Sequence, residues 1–386
     1  MIEVNALINK FERRGYNFWT GVPCSILEPV INYLGQCSEV TYTIASSEGE
    51  AAGIAAGAYL AGRKTVAICQ NSGLGNMVDP LTSLNHVFHI PSILIITLRG
   101  APGERDAPQH AFMGAITQDM LSTLHIPCRL LPDRLDEIDT ILNEADDYIA
   151  GKSLPYALIM KRGIIAPYQS RGSKSCTYYD KAHVTGELEN ELRKRPSRNQ
   201  AIKIIRDILA GGELIIATTG KAGRELYDLG HSSNQFYLLG AMGCASAIGL
   251  GLALCLSKRK IVVIDGDGAA LMRMGTLATI GYYHHDNLIH IILDNESHES
   301  TGGQPTVSTC TDFAQVAAAC SYSTVFRCDS ESSFCKSLES ALSAHGPVCI
   351  HVKISTKKDT SPGRPDVTPV VLKEQFMAYI VNGQSN

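Results

Sequence analysis

The hydrophobic and polar positions of the chain predict two halves, each built of alternating strands and helices. In the first half, apolar runs typical of buried strands occupy Thr65–Cys69, Ser92–Thr97 and Tyr156–Met160. In the second half, comparable runs occupy residues 213–218, 261–265, 288–294 and 348–354. Strands that alternate with helical stretches are typical of a mostly parallel sheet flanked by helices. The pattern therefore predicts an α/β fold with two such sheets.

A polar and irregular segment separates the two halves. Residues 166–200 are rich in Ser, Tyr, Lys and Arg and contain few apolar clusters, as is typical of a linker. We therefore expect an N-terminal domain at 1–165, a linker at 166–200 and a C-terminal domain at 201–386. A chain of 386 residues has room for two domains of this size.

Composition and charge exclude several functional classes. The net charge is −4 and the chain has no basic stripe, which argues against a nucleic-acid-binding protein. Twelve cysteines without a Cys-x-x-Cys pair indicate reduced thiols in a cytoplasmic protein. The first residues predict a short amphipathic helix without the apolar core of a signal peptide. The uncharged run at 237–257 is rich in Gly and Ala, so we expect a buried helix and no membrane span.

Two strand ends in the second half carry polar side chains suited to a metal and phosphate site. One strand runs into Gly266-Asp267-Gly268, and the next ends at Asp294-Asn295. In open α/β sheets, ligands bind at the carboxyl ends of the strands. Oxygen ligands beside a tight glycine turn suit Mg²⁺, which often binds through a few protein ligands plus phosphate oxygens. The alternative is an ordinary βαβ turn with a hydrogen-bonded Asn.

A second segment of interest is a helix rich in small residues in the first half. Ser46 or Ser47 is placed to cap its start, and Glu48 and Glu50 suit the positive end of the helix dipole. Taken alone, the segment indicates a well-capped and tightly packed helix.

Together, these motifs resemble those of the thiamin diphosphate-dependent enzymes. Glu48, followed by Ala51-Ala52, resembles the activating glutamate that hydrogen-bonds the aminopyrimidine ring, and the register of the small residues favours Glu48 over Glu50. Met242 resembles the apolar residue that holds the two cofactor rings bent. The resemblance implies thiamin diphosphate and Mg²⁺ as cofactors. It implies cofactor contacts from Thr219, Lys221, Gly240, Met242, Gly266, Asp267, Gly268 and Ala269, and metal ligands from Asp267, Asn295 and Ser297.

Further segments resemble the phosphonopyruvate decarboxylase family along essentially the whole chain. They are Gly21–Ser25, Gln70–Asn76, Arg99-Gly100, Asp106–His110 and Asp294–Thr306. The resemblance implies two thiamin diphosphate-binding-type domains without a middle domain. It also implies non-oxidative decarboxylation of 3-phosphonopyruvate to phosphonoacetaldehyde and CO₂, in phosphonate biosynthesis. The alternatives are decarboxylation of sulfopyruvate or another 3-substituted pyruvate, and a non-catalytic homologue that binds the cofactor.

The resemblance also assigns roles near the substrate. Ser25 and His110 match positions that face the reacting carbon, and Arg99 is a candidate for binding the phosphonate, with a salt bridge as the alternative. Thr301 stands where pyruvate decarboxylase has a proton-relay glutamate, so His298 or His110 is expected to return the proton to the product. Because the glutamate and the diphosphate site come from different subunits in the family, we expect at least a homodimer.

Some positions depart from the family pattern. Asp294-Asn295 replaces the common Asn-Asn pair, and Ala269 replaces a hydroxyl residue, which leaves diphosphate contacts there to backbone N–H groups. Lys221 resembles a residue of the loop that meets the diphosphate, with a solvated surface charge as the alternative.

Overall fold

The computed structural model of the protein describes residues 1–169, 179–186, 188, 194–357 and 362–383. The chain divides into two compact units, Met1–Thr177 and Tyr178–Asn386, and each is built on its own parallel sheet. The α/β fold with two mostly parallel sheets is therefore confirmed. Much of the segment predicted as a linker lies outside the described residues, so its bounds stay a prediction.

The first unit alternates helices and strands along the chain. In order, its elements are α1 (Val4–Glu12), β1 (Tyr16–Gly21), α2 (Glu28–Leu34), β2 (Thr41–Ile44), α3 (Glu48–Leu60), β3 (Lys64–Gln70), α4 (Leu74–Pro80), α5 (His86–Phe88), β4 (Ile93–Thr97), α6 (Pro108–Thr123), β5 (Cys128–Leu130), α7 (Leu135–Lys152) and β6 (Tyr156–Met160). These strands pair in parallel in the order β2-β1-β3-β4-β6-β5. The carboxyl ends of all of them therefore lie at one edge of the sheet.

The predicted strands of this unit are confirmed, and others appear beside them. Strands β4 and β6 are buried at every position, as the continuous apolar runs predict for a sheet covered on both faces. Strands β1, β2 and β5 were not predicted. Of these, β2 and β5 are the edge strands of the sheet and expose several positions, and an edge strand needs no continuous apolar run. Strand β1 is interior and mostly buried, but Asn17 and Thr20 interrupt its apolar residues.

Helix α3 shows why small residues follow Glu48. Ser47 Oγ accepts a hydrogen bond from Glu50 N at 3.3 Å, so Ser47 is the cap of this helix. Between Gly49 and Ala58 every residue of α3 is buried, and the helix packs against β1, β3 and α4. Alanine and glycine allow this close approach, and the helix start is held firmly at the carboxyl edge of the sheet.

The second unit repeats this architecture. Its elements are β7 (Val184–Thr185), α8 (Arg198–Ile208), β8 (Leu214–Ala217), α9 (Lys221–Asp228), β9 (Gln235–Tyr237), α10 (Ala245–Cys255), β10 (Ile261–Gly266), α11 (Asp267–Met272), α12 (Gly275–Tyr283), β11 (Leu288–Asp294), β12 (Ser297–His298), β13 (Gln304–Pro305), α13 (Phe313–Ala319), β14 (Thr324–Cys328), α14 (Glu331–Ser343), β15 (Val348–Lys353) and α15 (Pro369–Asn382). The main sheet has the order β7-β14-β15-β11-β10-β8-β9 and is parallel throughout, while β12 and β13 form a small antiparallel pair.

The predicted buried helix of this unit is confirmed as α10, whose residues from Ala245 to Ala253 are inaccessible to solvent. Within the described ranges, no helix combines the length and the apolar character needed to cross a bilayer. The cysteines in the described part of the chain are all free thiols. Ser197 and Gln200 form a capping box at the start of α8, so this helix begins within the segment predicted as a linker.

Candidate functional site

The loops after strands β8, β10 and β11 line a pocket of about 280 Å³ in the second unit. The predicted cofactor and metal residues among its lining are Thr219, Lys221, Met242, Gly266, Asp267, Gly268, Ala269, Asn295, Ser297 and His298. Gly240 is not part of the lining, although it belongs to the same turn as Met242. The parallel strands thus bring together residues that are up to 79 positions apart in the chain, from Thr219 to His298.

Asp267, the first residue of α11, has the environment of a cation ligand. It is 4% exposed, and its Oδ2 accepts hydrogen bonds from Thr306 Oγ1 at 2.5 Å and Ser308 Oγ at 3.1 Å. Burial raises the pKa of Asp267 and the nearby charge of Asp294 adds to the rise, although the two hydroxyls oppose it. A bound cation favours the ionised form of a carboxylate that is buried in this way.

Asn295 and Ser297 supply further oxygen atoms at the same pocket. Asn295 is 8% exposed, and its Oδ1 accepts a hydrogen bond from Ser297 N at 3.1 Å, which fixes the turn between them. With Asp267 they form a donor set of a carboxylate, an amide oxygen and a hydroxyl. These are hard oxygen ligands of the kind that Mg²⁺ takes, so the residues present fit that metal.

Asp294, the departure from the family pattern, has charged partners of its own. Its Oδ2 accepts hydrogen bonds from Lys353 Nζ at 2.7 Å and His351 Nε2 at 2.9 Å. Burial alone would raise the pKa of Asp294, but these hydrogen bonds hold it at about 2. Ser308 Oγ lies 2.8 Å from Asp294 Oδ1, so it links this compensated carboxylate to Asp267. Asp294 is therefore linked to Asp267, the predicted metal ligand, through the Ser308 hydroxyl.

His298 and Met242 pack against the glycine turn. A Cβ atom placed on Gly268 would lie 2.8 Å from His298 Cε1 and 3.2 Å from Met242 Cε. Gly243, with φ +86°, allows the turn that carries Met242 to approach the carbonyl of Ala269. Because Gly268 has no side chain, His298 and Met242, which were predicted from separate motifs, can both pack against it.

The predicted residue Lys221 lies in a cluster of charged side chains at the pocket, of which Arg198, Glu225 and Glu299 were not predicted from the sequence. Lys221 Nζ and Arg198 NH1 each donate a hydrogen bond of 2.6 Å to Glu299, and Arg198 NH2 donates to Glu225 at 2.7 Å. Burial opposes ionisation of Glu299, yet these cations lower its pKa. Lys221 is thus ion-paired at the pocket wall. The Ser197-x-x-Gln200 capping box was the available signal for Arg198, because it marks the start of a helix there.

In the first unit, the predicted residues also follow strand ends at the carboxyl edge of its sheet. Ser25 follows β1, Glu48 begins α3 after β2, and Arg99 follows β4. His110 lies in the first turn of α6 and is half-buried, and its carbonyl packs so closely on Gly100 that a Cβ there would lie 2.1 Å away.

Glu48 and Glu50 have different environments. Glu48 is half-buried, and its Oε2 accepts a hydrogen bond from Asn76 Nδ2 at 2.8 Å. Glu50 is inaccessible, and its Oε2 accepts from Ser46 N at 2.7 Å and from Ser46 Oγ. Glu48 is therefore available to a ligand, whereas Glu50 ties the helix start to the preceding loop. That Glu48 is the reacting carboxylate stays a prediction.

Arg99 forms the salt bridge that was the alternative to a substrate contact. Its Nε and NH2 donate to Asp106 at 2.6 Å and 2.5 Å, and its NH1 donates to Ser25 Oγ at 3.1 Å. The guanidinium holds the pKa of Asp106 well below its usual range. The pairing leaves one arm of Arg99 directed to Ser25, so the two predicted substrate residues form one cluster.

Comparison with known proteins finds one matching family model and several similar sequences. The family model described as thiamine pyrophosphate enzyme, C-terminal TPP binding domain, matches residues 219–352. A phosphonopyruvate decarboxylase of Streptomyces viridochromogenes is 41% identical to this chain, over 98% of it and 95% of the relative. The beta subunit of a sulfopyruvate decarboxylase of Methanococcus maripaludis is 36% identical over 48% of this chain and 97% of its own length.

A solved structure shares the fold. The X-ray structure of a thiamin diphosphate-dependent enzyme from Mycobacterium smegmatis superimposes with a TM-score of 0.70, over 92% of this chain and 100% of that one. The sequence identity is 12%, so this likeness concerns the fold alone.

Proposed function

We propose the function of this chain from its family, because the chain belongs to the phosphonopyruvate decarboxylase family. It is a thiamin diphosphate-dependent carboxy-lyase that converts 3-phosphonopyruvate to phosphonoacetaldehyde and CO₂ without oxidation, in phosphonate biosynthesis. The observation that carries the proposal is the pocket of the second unit, in which Asp267, Asn295 and Lys221 converge with Met242 and Gly268.

The residues of this pocket have separate tasks in holding the cofactor. Asp267, Asn295 and Ser297 would hold Mg²⁺, and Thr219, Lys221 and the backbone N–H groups of Gly268 and Ala269 would hold the diphosphate. Met242 would support the two rings, and the Gly240 carbonyl would accept a hydrogen bond from the amino group. When bound, thiamin diphosphate supplies the nucleophilic carbon and accepts the electron pair that CO₂ leaves behind.

Glu48 moves a proton at one carboxylate oxygen. Asn76 occupies Oε2, while Oε1 lies against Gly73, which has no side chain to obstruct it. Oε1 would therefore be the oxygen that holds and releases a proton toward the aminopyrimidine ring. A carboxylate held in one orientation by a neighbouring amide is well suited to general acid–base catalysis.

The predicted substrate residues bind the phosphonate and return a proton to the product. Arg99, oriented by Asp106, binds an anionic oxygen of the substrate together with Ser25, since a guanidinium suits phosphonate oxygens. His110 and His298 are the candidates for returning a proton to the product carbon. The packing of His298 against Gly268 and Met242 places it at the pocket wall, which favours it for this task.

A side-by-side assay of the enzyme with thiamin diphosphate and Mg²⁺ tests the substrate. We expect kcat/KM for phosphonopyruvate to exceed those for sulfopyruvate and pyruvate, because the full-length resemblance is to the phosphonopyruvate enzyme. Higher kcat/KM for sulfopyruvate would replace this proposal by the sulfopyruvate alternative. Absence of CO₂ release from every 2-keto acid in the cofactor-loaded protein would support the non-catalytic alternative.

We further propose that the enzyme is at least a homodimer in the cytoplasm, with Glu48 of one copy and Asp267 of another completing each active site. The free thiols of the described residues agree with a reducing compartment. Analytical ultracentrifugation of the cofactor-loaded enzyme tests the assembly. We expect a species of at least twice the mass of one chain, and an active monomer would contradict the proposal.

A further inference from the structure

A single carboxylate, Glu299, joins two loops that line the pocket of the second unit. Its Oε1 accepts a hydrogen bond from Lys221 Nζ and its Oε2 accepts one from Arg198 NH1, both at 2.6 Å. Lys221 is the first residue of α9 and directly follows the loop after β8 that carries Thr219. Glu299 directly follows β12, in the segment between β11 and β13 that also carries Asn295 and Ser297. The carboxylate thus bridges the loop assigned to the diphosphate and the loop assigned to the metal.

The Glu299 side chain is largely buried, and Arg198, one of its two partners, is held in place by a second carboxylate. The Glu299 side chain is 10% exposed, and both of its hydrogen bonds join opposite charges, which makes them stronger than neutral ones. Arg198 also donates to Glu225, whose side chain is 3% exposed, so Arg198 is held from a second direction. Lys221, in contrast, has a flexible stem, and the position of its ammonium depends on its anionic partner. The position of Glu299 therefore sets that of the Lys221 ammonium.

We propose that Glu299 is a positioning residue that couples binding of the divalent metal to binding of the cofactor diphosphate. Metal binding at Asn295 and Ser297 fixes their loop, and Glu299 in that loop then fixes Lys221 for the diphosphate. The coupling is reciprocal, so the diphosphate strengthens metal binding by the same factor. This inference rests on the proposed function, because it requires the metal and the diphosphate to share this pocket.

A role through charge alone predicts the opposite sign. If Glu299 acted merely as a negative charge near the diphosphate, its removal would strengthen binding of the anionic cofactor. If Glu299 positions Lys221, its removal weakens binding, and it does so chiefly when the metal is present.

The test measures the affinity for thiamin diphosphate by titration calorimetry on the full-length enzyme freed of cofactor. Each variant is titrated once in EDTA and once at saturating Mg²⁺, and the ratio of the two dissociation constants gives the coupling factor. For Glu299→Gln we expect the factor to fall about tenfold from the wild-type value, a typical size for coupling between sites. The affinity in EDTA should change little.

The loop offers a matched control in Glu296. This residue also lies beside two cations, because it accepts a hydrogen bond from Lys353 Nζ at 2.7 Å and lies 3.8 Å from Arg195 NH1. Glu296→Gln removes the same charge from the same segment without touching Lys221, and the Gln oxygen can still accept from Lys353, which also holds Asp294. The wild-type coupling factor is therefore expected. Lys221→Met should reproduce the loss, and the Glu299→Gln/Lys221→Met double variant should lose no more than either single variant.

The outcomes separate this inference from the proposed function. An unchanged coupling factor or tighter cofactor binding in Glu299→Gln would overturn the inference, as would an equal loss in Glu296→Gln. If Glu299→Gln does not fold, an unchanged factor in Lys221→Met has the same consequence. A wild-type enzyme whose binding of thiamin diphosphate does not depend on Mg²⁺ would overturn the inference and the metal part of the proposed function together.

Discussion

The two units place polar residues at the carboxyl edges of similar parallel sheets, yet they hold these residues differently. In the second unit, Asp267 and Asp294 are at most 4% exposed, and each accepts hydrogen bonds from at least two side chains. In the first unit, Glu48 is half-buried and accepts one side-chain hydrogen bond, from Asn76, while Arg99 is half-buried and paired with Asp106. The second unit has its two buried carboxylates fixed in the folded chain, whereas the first unit leaves the Glu48 carboxylate accessible.

The difference indicates a division of tasks. Groups that bind a permanent cofactor gain from being fixed in advance, because less ordering is then required on binding. Groups that meet a substrate must remain reachable. Changes in the second unit should therefore weaken cofactor binding, and changes in the first unit should slow turnover or weaken substrate binding.

The largest expected effect is that of Glu48→Gln. We expect kcat to fall by ~10²–10⁴-fold because the proton transfer at Oε1 is lost, a typical contribution of general acid–base catalysis. The dissociation constant of thiamin diphosphate should stay close to the wild-type value, since Gln keeps the size of the side chain and most of the proposed cofactor contacts come from the second unit. Steady-state kinetics and calorimetry check the two statements. Glu50→Gln is the control and should lower the melting temperature while keeping kcat, and near-normal turnover in Glu48→Gln would exclude Glu48 as the reacting carboxylate.

A glycine pair in the first unit tests whether the position of Glu48 matters. In Gly73→Ala, the new Cβ would lie 2.1 Å from Glu48 Oε1 and 2.4 Å from its Cδ, so the carboxylate must move. We expect kcat to fall ~10–100-fold, because a displacement of about 1 Å is enough for such a loss. Gly75→Ala is the matched control, since nothing in the chain lies within 4 Å of its Cβ. Equal kcat in the two variants would show that the packing of Glu48 on Gly73 is unimportant.

A second glycine pair makes the corresponding test in the second unit. Gly268→Ala places a Cβ 2.8 Å from His298 Cε1, which forces His298 and Met242 to shift, whereas Gly266→Ala meets nothing within 4 Å. We expect thiamin diphosphate to bind about tenfold more weakly to Gly268→Ala, in line with the cost of modest overpacking. Because His298 is also a candidate proton donor, kcat at saturating cofactor should fall as well, but by less than in Gly73→Ala. A larger loss of kcat than of affinity would contradict the division of tasks.

The smallest expected effect concerns substrate binding. Asp106→Asn keeps the shape of the residue but removes the charge that orients Arg99, while Ser25 still contacts its NH1. We expect KM for phosphonopyruvate to rise ~3–10-fold with little change in kcat, as for the loss of one charge-assisted hydrogen bond. An unchanged KM would mean that Arg99 does not bind the substrate.

The sequence predicted the elements whose residues form continuous patterns. The buried strands β4, β6, β10 and β11 and the helix α10 were predictable because burial on all sides requires unbroken apolar runs. The edge strands β2 and β5 were not, because an exposed edge imposes no such pattern. The interior strands β1 and β14 were also missed, because polar residues interrupt their apolar runs.

The site was predictable to the extent that it lies in local motifs. Asp267 and Asn295 stand at strand ends, where parallel topology brings residues together. Lys353 and Arg198, which pair with Asp294 and Glu299, lie 59 and 101 residues away from these partners in the chain. Such pairings depend on how the strands and helices pack, so no local motif predicts which residues will pair.

The most direct test of the account combines one defect from each unit in a hybrid enzyme. Glu48→Gln and Asp267→Asn chains, each inactive on its own, are produced together with different affinity tags, and the hybrid dimer is isolated. If Glu48 of one copy and Asp267 of another complete each site, one of the two sites in the hybrid is intact. The account then predicts about half of the wild-type turnover per dimer. A hybrid as inactive as its two parents would contradict it.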